Sequence, residues 1–345
     1  MKKYIYLTLT LMSTCIIWIG CTNSISSNPS SYEVLSNNYA SGTVCGGSIM
    51  SYGNKVYRSY DGGIAPLKSN LDINVLERIG SFQQSNVYHV EIINDQIWFA
   101  IVTDWTMPGE VRVVDKNGND IATYEVGINP GDFTFWESDD SNFSWVFVAN
   151  EGNYCDVENG DDCSLPGNGS ISMIDGIGNV YHINNIGWTV QSLTVNNNKL
   201  YVIVNQDHKI LIYNINTNGI TLENALSTNN SSPREMVVID NRIYFTNWND
   251  NDMKVLNLDN YEIEESIPTG AMPEGLITDG SNIWVANSGS KTLSKIDINT
   301  HAVETIEVGA GPQSLIKHNG AIFISRRYYD ETWNEYYGTS KIVLD

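Results

Sequence analysis

The sequence predicts an all-β fold, a closed ring of seven four-stranded antiparallel blades, and three observations predict it. Six stretches align without a gap: SIMSYGNKV from Ser48, HVEIINDQI from His89, SLTVNNNKL from Ser192, EMVVIDNRI from Glu235, GLITDGSNI from Gly275 and SLIKHNGAI from Ser314. Each is a strand, a polar turn and the start of a second strand, and a seventh copy with a longer turn runs from Asp132 through FTFWESDDSNFSWVFVAN. Where no insertion intervenes, neighbouring copies stand about forty residues apart, the length of one propeller blade. Alternation of apolar and polar residues with Asn and Gly turns excludes a helical repeat.

Each element then takes its place in order. Lys2 and Lys3 precede an apolar stretch, Tyr4 to Ile19, that is too short and too N-terminal for a membrane span and reads as an export signal. It ends in Trp18, Ile19, Gly20 and Cys21, which resembles a bacterial lipobox with Cys21 as the lipidated residue; the alternative is an ordinary signal peptide with an incidental Cys. Residues 22–31, TNSISSNPSS, are polar and unpatterned, as a flexible tether is. Residues 32–345 are the propeller. A third strand in each copy runs to Asp72, Asp115, Asp175, Asn214, Asp259, Asp297 and Asp345, and segments such as AVETIEV from Ala302 supply a fourth. The last copy has no fourth strand of its own, so YEVL from Tyr32 is expected to fill that edge and close the ring.

Composition narrows the function. Hydrophobic residues make up 41% and charged ones 17%, with nine Trp and nineteen Tyr, which suits a packed β protein with exposed aromatics. A formal charge of −21 repels a phosphate backbone and excludes nucleic acid as a partner. Of five Cys, Cys155 and Cys163 bracket the acidic loop CDVENGDDC and are expected to form a disulfide in an oxidising compartment, whereas Cys45 reads as a buried thiol. A second reading of that loop is a Ca²⁺ site on Asp156, Glu158, Asp161 and Asp162, but the spacing is not an EF-hand and no other cofactor is indicated.

The stretch from Met272 to Leu315 carries Pro273, Asp279, Gly280, the run Trp284, Val285, Ala286, Asn287, then Ile296, Asp297, Gly309 and Pro312. It resembles the YVTN repeat of YncE-like bacterial surface propellers, strongly over Ser232 to Gln313 and more weakly towards the N-terminus. The resemblance implies the fold. It also implies an envelope lipoprotein, at the outer membrane or cell surface, that binds a cofactor, glycan or protein such as an outer-membrane transporter. Propellers host many functions, however, so the ligand does not follow from the fold.

In such a blade the loop entering the first strand and the loop joining strands two and three share one face. The long loops, Thr103 to Glu110, Glu151 to Gly169, Trp248 to Asp252 and Arg326 to Thr339, all fall there, and elaborated loops present sites. The residues before the inner strands, Gly47, Tyr88, Gly131, Gln191, Arg234, Glu274 and Gln313, should point at the axial mouth and hold a polar ligand or ordered water. Around the rim, Trp105, Trp248, Arg326, Arg327, Tyr328 and Trp333 are of the types that dominate binding hot spots, or else they cover a blade edge. The alternative function is a lyase or lactonase with a metal-assisted site at the mouth. Only His89 and His208 fall near the rim, on non-adjacent blades, and the axial positions carry no cluster of acids, which favours binding without catalysis.

Overall fold

The structure, a computed structural model, describes residues 24–27, 33–40, 48–60, 63–71, 77–80, 82, 86–156, 167–229, 231–309, 311–329 and 335–344. Two N-terminal strands, β1 (Ser24–Ser27) and β2 (Glu33–Ala40), precede seven radial sheets. Blade 1 is β3 (Ile49–Tyr52), β4 (Lys55–Tyr60) and β5 (Gly63–Pro66), with Ile64 bridged to Ile79 where a fourth strand would pair. Blade 2 is β6 (Asn86–Ile93), β7 (Gln96–Val102), β8 (Pro108–Val114) and β9 (Asp120–Ile128). Blade 3 is β10 (Pro130–Glu137), β11 (Ser144–Asn150), β12 (Gly169–Asp175) and β13 (Val180–Gly187). Blade 4 is β14 (Val190–Asn196), β15 (Lys199–Val204), β16 (Lys209–Asn216) and β17 (Gly219–Ser227). Blade 5 is β18 (Pro233–Ile239), β19 (Arg242–Asn247), β20 (Asp252–Asn257) and β21 (Ile263–Pro268). Blade 6 is β22 (Pro273–Thr278), β23 (Asn282–Asn287), β24 (Thr292–Asp297) and β25 (Val303–Glu307), and blade 7 is β26 (Pro312–His318), β27 (Ala321–Tyr329) and β28 (Glu335–Val343). Each inner strand packs on the next, and β26 packs on β3, which completes the circle.

The ring is closed by the N-terminal strand, as expected: β2 runs antiparallel to β28 from Val34 opposite Ile342 to Ala40 opposite Tyr336. The stretch expected as a tether is corrected in part. Ser24–Ser27 pairs with β2, Ser24 opposite Ser36, as a fifth strand of blade 7. The reason is that β2 would otherwise present an unpaired edge, whose backbone groups attract any extended neighbour, polar or not. Residues 1–21, with Cys21, lie outside the described residues.

Middle strands are near-continuous apolar runs because blades stack face to face and bury both sides of each sheet. In β11 the alternation sends Phe147 and Ala149 towards blade 4 and Val146 and Val148 towards blade 2. Among the described residues the apolar interior is accordingly seven clusters, each shared by two adjacent blades, including Trp284 with Ile324 between blades 6 and 7 and Ile49 with Phe323 between blades 7 and 1. Outer strands such as β13 and β17 are largely exposed and read polar.

Local chemistry sets the turns. Asn94–Asp95 and Asn197–Asn198 take the left-handed conformation at both positions (φ 51 and 59, 48 and 60), the twist that tight hairpins need. At the end of the third strand, Asp115 Oδ1 accepts the Asn117 and Asn119 amides (2.8 and 2.9 Å), and Asp297 Oδ1 those of Asn299 and Thr300 (3.0 and 2.7 Å). These bonds favour the carboxylate and hold both acids below their ordinary pKa. In blades 4 and 5 the third strand ends at Asn216 and Asn257 instead of the expected Asn214 and Asp259, and the Asn side chain there accepts a turn amide (2.8 and 2.7 Å). The Asn of the WVAN run is buried: Asn287 Nδ2 donates to Thr292 Oγ1 (3.1 Å) and Ser294 Oγ (3.0 Å), tying strand two to strand three.

Candidate functional site

Six of the seven inner strands carry a β-bulge at their first residues, between Val87/His89, Pro130/Phe133, Val190/Ser192, Pro233/Met236, Pro273/Leu276 and Pro312/Ser314. A bulge leaves the extra residue without a cross-strand partner and re-aims its side chain. Those residues are Tyr88, Gly131, Gln191, Arg234, Glu274 and Gln313, the expected axial set; Gly47 lies outside the described residues. Proline or valine just before the bulge keeps the chain extended as it enters.

The bulges bring four of these side chains into two hydrogen-bonded groups. Arg234 Nη1 donates to Gln191 Oε1 (3.3 Å), Arg234 Nε stands 4.0 Å from Glu274 Oε2, and the guanidinium lies 5.4 Å from the centroid of the Trp248 ring. The Trp248 indole donates to Glu274 Oε1 at 3.1 Å, as does Ser288 Oγ at 3.4 Å. In the second group Tyr88 Oη donates to Glu151 Oε1 at 3.2 Å, and Trp105, 44% exposed, sits edge-on to Tyr88 with centroids 6.2 Å apart. Gly131 leaves room beside this pair, since a Cβ there would stand 3.6 Å from Glu151 Oε1. The charge of Arg234 acts on both Tyr88 and Glu151, and that of Arg327 on Tyr88, which couples the two groups electrostatically. Gln313 occupies its bulge but makes no side-chain hydrogen bond among the described residues.

One residue further into three of these strands stand His89, Asp132 and Glu235. Asp132 Oδ2 accepts the Leu193 amide of blade 4 (2.8 Å), and Glu235 Oε2 accepts the Leu276 amide of blade 6 (3.2 Å). His89 Nε2 stands 3.7 Å from Asp132 Oδ1 and 3.9 Å from Glu91 Oε2, ion-pair distances too long for hydrogen bonds. The axial positions thus carry Glu274 as their one described acid, and Asp132 and Glu235 stand one residue past them. The aligned repeat copies begin at these very positions; a polar residue recurring at the head of a buried strand was the signal. Glu151 was missed because it lies past strand two, in a loop whose path the repeat does not specify.

Burial sets the titration of the acids. Burial pushes Glu151 up from 4.5 to about 7, against the bond from Tyr88 and the charge of Arg234. Glu235 rises to about 7 through burial and then the charge of Asp132, and burial also raises Asp132 against the pull of His89. For His89, burial disfavours the imidazolium, yet Glu91 and Asp132 hold it above the ordinary value. Tyr88 is held far up by the Glu151 charge and by burial.

The comparisons with known proteins stand beside this geometry. No protein-family model and no curated protein matches the sequence. Among solved structures, the chain is similar to hydrazine synthase of Kuenenia stuttgartiensis (TM-score 0.62, 14% identity, 84% of this chain and 94% of that one). It is also similar to the WD40 β-propeller domain of Doa1 (0.60, 13%, 88% and 96%) and to the computationally designed Ika8 protein (0.55, 14%, 88% and 99%). At such identities the likeness is one of fold: this chain is a seven-bladed β-propeller.

The rim residues divide. Trp105, Trp248 and the charge of Arg327 belong to the mouth, whereas Arg326 does not: it is 3% exposed and donates to the Thr339 carbonyl (3.4 Å). Its carbonyl accepts Arg58 Nη2 from blade 1 (3.3 Å), while strand alternation puts its side chain on the face of β27 that carries Ile322 and Ile324, towards blade 6. Trp333 and the Tyr328 side chain lie outside the described residues. Cys155 is disulfide-bonded and its loop is pinned by Gln206, which accepts the Cys155 amide (2.9 Å) and donates to its carbonyl (3.0 Å). The expected partner Cys163 lies outside the described residues, as do Glu158, Asp161 and Asp162 of the Ca²⁺ reading. Among the described residues no three His, Cys, Asp or Glu side chains come together in an arrangement that would hold a metal.

Proposed function

We propose that this chain is an exported envelope lipoprotein, anchored through Cys21, whose propeller binds a polar ligand at the axial mouth without transforming it. The observation that carries the reading is the gathering of Tyr88, Glu151, Gln191, Arg234, Trp248 and Glu274, from five blades, into two bonded groups on the face where the inner strands begin. Guanidinium, amide, phenol, indole and carboxyl groups held by their neighbours form a pre-ordered hydrogen-bonding surface, and pre-ordering lowers the cost of binding. The exposed Trp105 and Met107 beside it add apolar area for a ring or a partner surface. Resemblance to YncE-like surface propellers and the lipobox-like Cys21 support an envelope location, and an outer-membrane transporter is a partner that fits a capture role.

A thermal-shift screen of cofactors, glycans and amino acids, repeated on Arg234→Ala and Trp105→Ala, tests this. A ligand that raises the melting midpoint of the parent protein but of neither variant supports the reading. A ligand whose effect both variants retain places binding elsewhere, and measured turnover of a lactone lost in Glu235→Gln would replace binding with catalysis.

A further inference from the structure

The face opposite the mouth carries a cavity of roughly 230 Å³ at the seam where blade 1 meets blade 7. Lys55 and Lys68 enter it from blade 1, and His318 and Lys341 from blade 7, over a floor that includes Leu71 and Phe323. Among the described residues no carboxylate lines it, although Glu77 pairs with Lys55 at its edge and the chain holds 40 Asp and Glu against 19 Lys and Arg. A lining drawn at random from this sequence would carry more acids than bases. The described lining is therefore a cationic recess in an acidic protein, whose net charge opposes an anion at long range and leaves the attraction local to the recess.

Its cations are not all committed. Lys55 pairs with Glu77, but Lys68 is exposed and makes no hydrogen bond or ion pair among the described residues. Lys341 Nζ stands 5.3 Å from the Phe323 ring centroid, a contact that leaves its donors available. Asn319 Nδ2 donates to His318 Nε2 (3.0 Å), and His318 Nδ1 makes no hydrogen bond among the described residues. Phe323 and Leu71 are buried at 9% and 3% exposure and make the floor apolar.

We infer that this cavity is an anion site that takes a phosphate group attached to a small apolar or polyol body. Ammonium groups bind phosphate as point charges, and several of them match a dianion better than a single carboxylate. The volume falls below that of a drug-sized pocket, about 300 Å³ at its smallest, and suits a headgroup or a small phosphate ester. A ligand here touches both blades of the closing seam, so its binding stabilises the ring itself. The inference does not rest on the axial mouth.

The test uses the full chain with two probes, inorganic phosphate by calorimetry and melting, and sedimentation with vesicles of equal parts phosphatidylglycerol and phosphatidylcholine. Each is repeated on Lys68→Gln with Lys341→Gln, on His318→Gln, and on Lys116→Gln as a charge control on the same face. The expected result is binding that weakens tenfold or more in the double variant, less in His318→Gln, and not at all in Lys116→Gln. Binding of phosphate alone identifies a soluble phosphate ester as the ligand; vesicle binding lost in the double variant identifies a lipid headgroup. If neither probe binds, or if the double variant binds as the parent does, the site is not an anion site. A misfolded double variant would show in its melting curve, and His318→Gln then carries the comparison.

Discussion

Tyr88 donates its phenolic hydrogen to Glu151 across 3.2 Å, joining blade 2 to blade 3 at the rim of the axial channel. The acceptor is a carboxyl held near neutrality by burial, so the bond joins a group whose charge changes within the ordinary working range of pH to one that stays protonated throughout it.

The pH dependence of stability follows with a definite sign. Glu151 and Glu235 each titrate near 7 in the fold and near 4.5 when unfolded, so between those values the folded chain binds more protons. Stability contributed by these groups is fully present below about 4.5 and is lost as pH rises through about 7. Glu151→Gln and Glu235→Gln should each flatten the fall in melting midpoint between pH 5 and 8, worth on the order of 1–2 kcal/mol at pH 8 after allowance for solvent in the channel. A slope unchanged from the parent protein would show that neither group is buried as described.

Arg234 holds the other group together through Gln191, Glu274 and Trp248. Arg234→Ala should cost only about 1 kcal/mol of stability while weakening a mouth ligand tenfold or more, and Arg234→Lys should not restore it, because an ammonium cannot bond Gln191 and cover the indole together. Calorimetric titration of the ligand found in the screen, on all three proteins, measures this.

Asn287 is buried with its amide donating to Thr292 and Ser294. Asn287→Ala leaves two hydroxyls short of a donor and should destabilise by about 1–3 kcal/mol, whereas Asn299→Ala in an exposed turn should cost less than about 0.5 kcal/mol. Chemical denaturation of the two variants separates them.

Removal of residues 33–40 strips β28 of its partner along the register from Val34 to Ala40. The melting midpoint should fall by about 10 °C or more, at roughly 2–4 °C per kcal/mol for a large domain. A melt within 2 °C or so of the parent would mean that the ring is held by its inner strands alone.

Much of this architecture was legible because a propeller repeats its instructions. The heads of the inner strands, the hairpin asparagines and the YEVL closure could each be read from local pattern, and they lie where the pattern put them. What escaped was set by the neighbours of a residue and not by its own stretch of chain. Arg326 reads as a surface cation, yet strand alternation buries its side chain on the face of β27 that carries Ile324, while its carbonyl meets Arg58, 268 residues away in the chain. Glu151 looks like one more loop acid until the blades converge and bring it beneath Tyr88. The polar tether looked unstructured because pairing of Ser24–Ser27 depends on an exposed edge elsewhere, which composition does not record.

Every apolar cluster here is held in common by two sheets, so none of the seven can be cut out and expected to stand alone. The molecule is indifferent, by the same logic, to where its chain starts. Joining β28 to β1 through a short linker and opening the backbone between Asn197 and Asn198 would leave each sheet beside the same two companions. A rearranged gene of that kind should still give a wheel, with its seam moved to a new spoke.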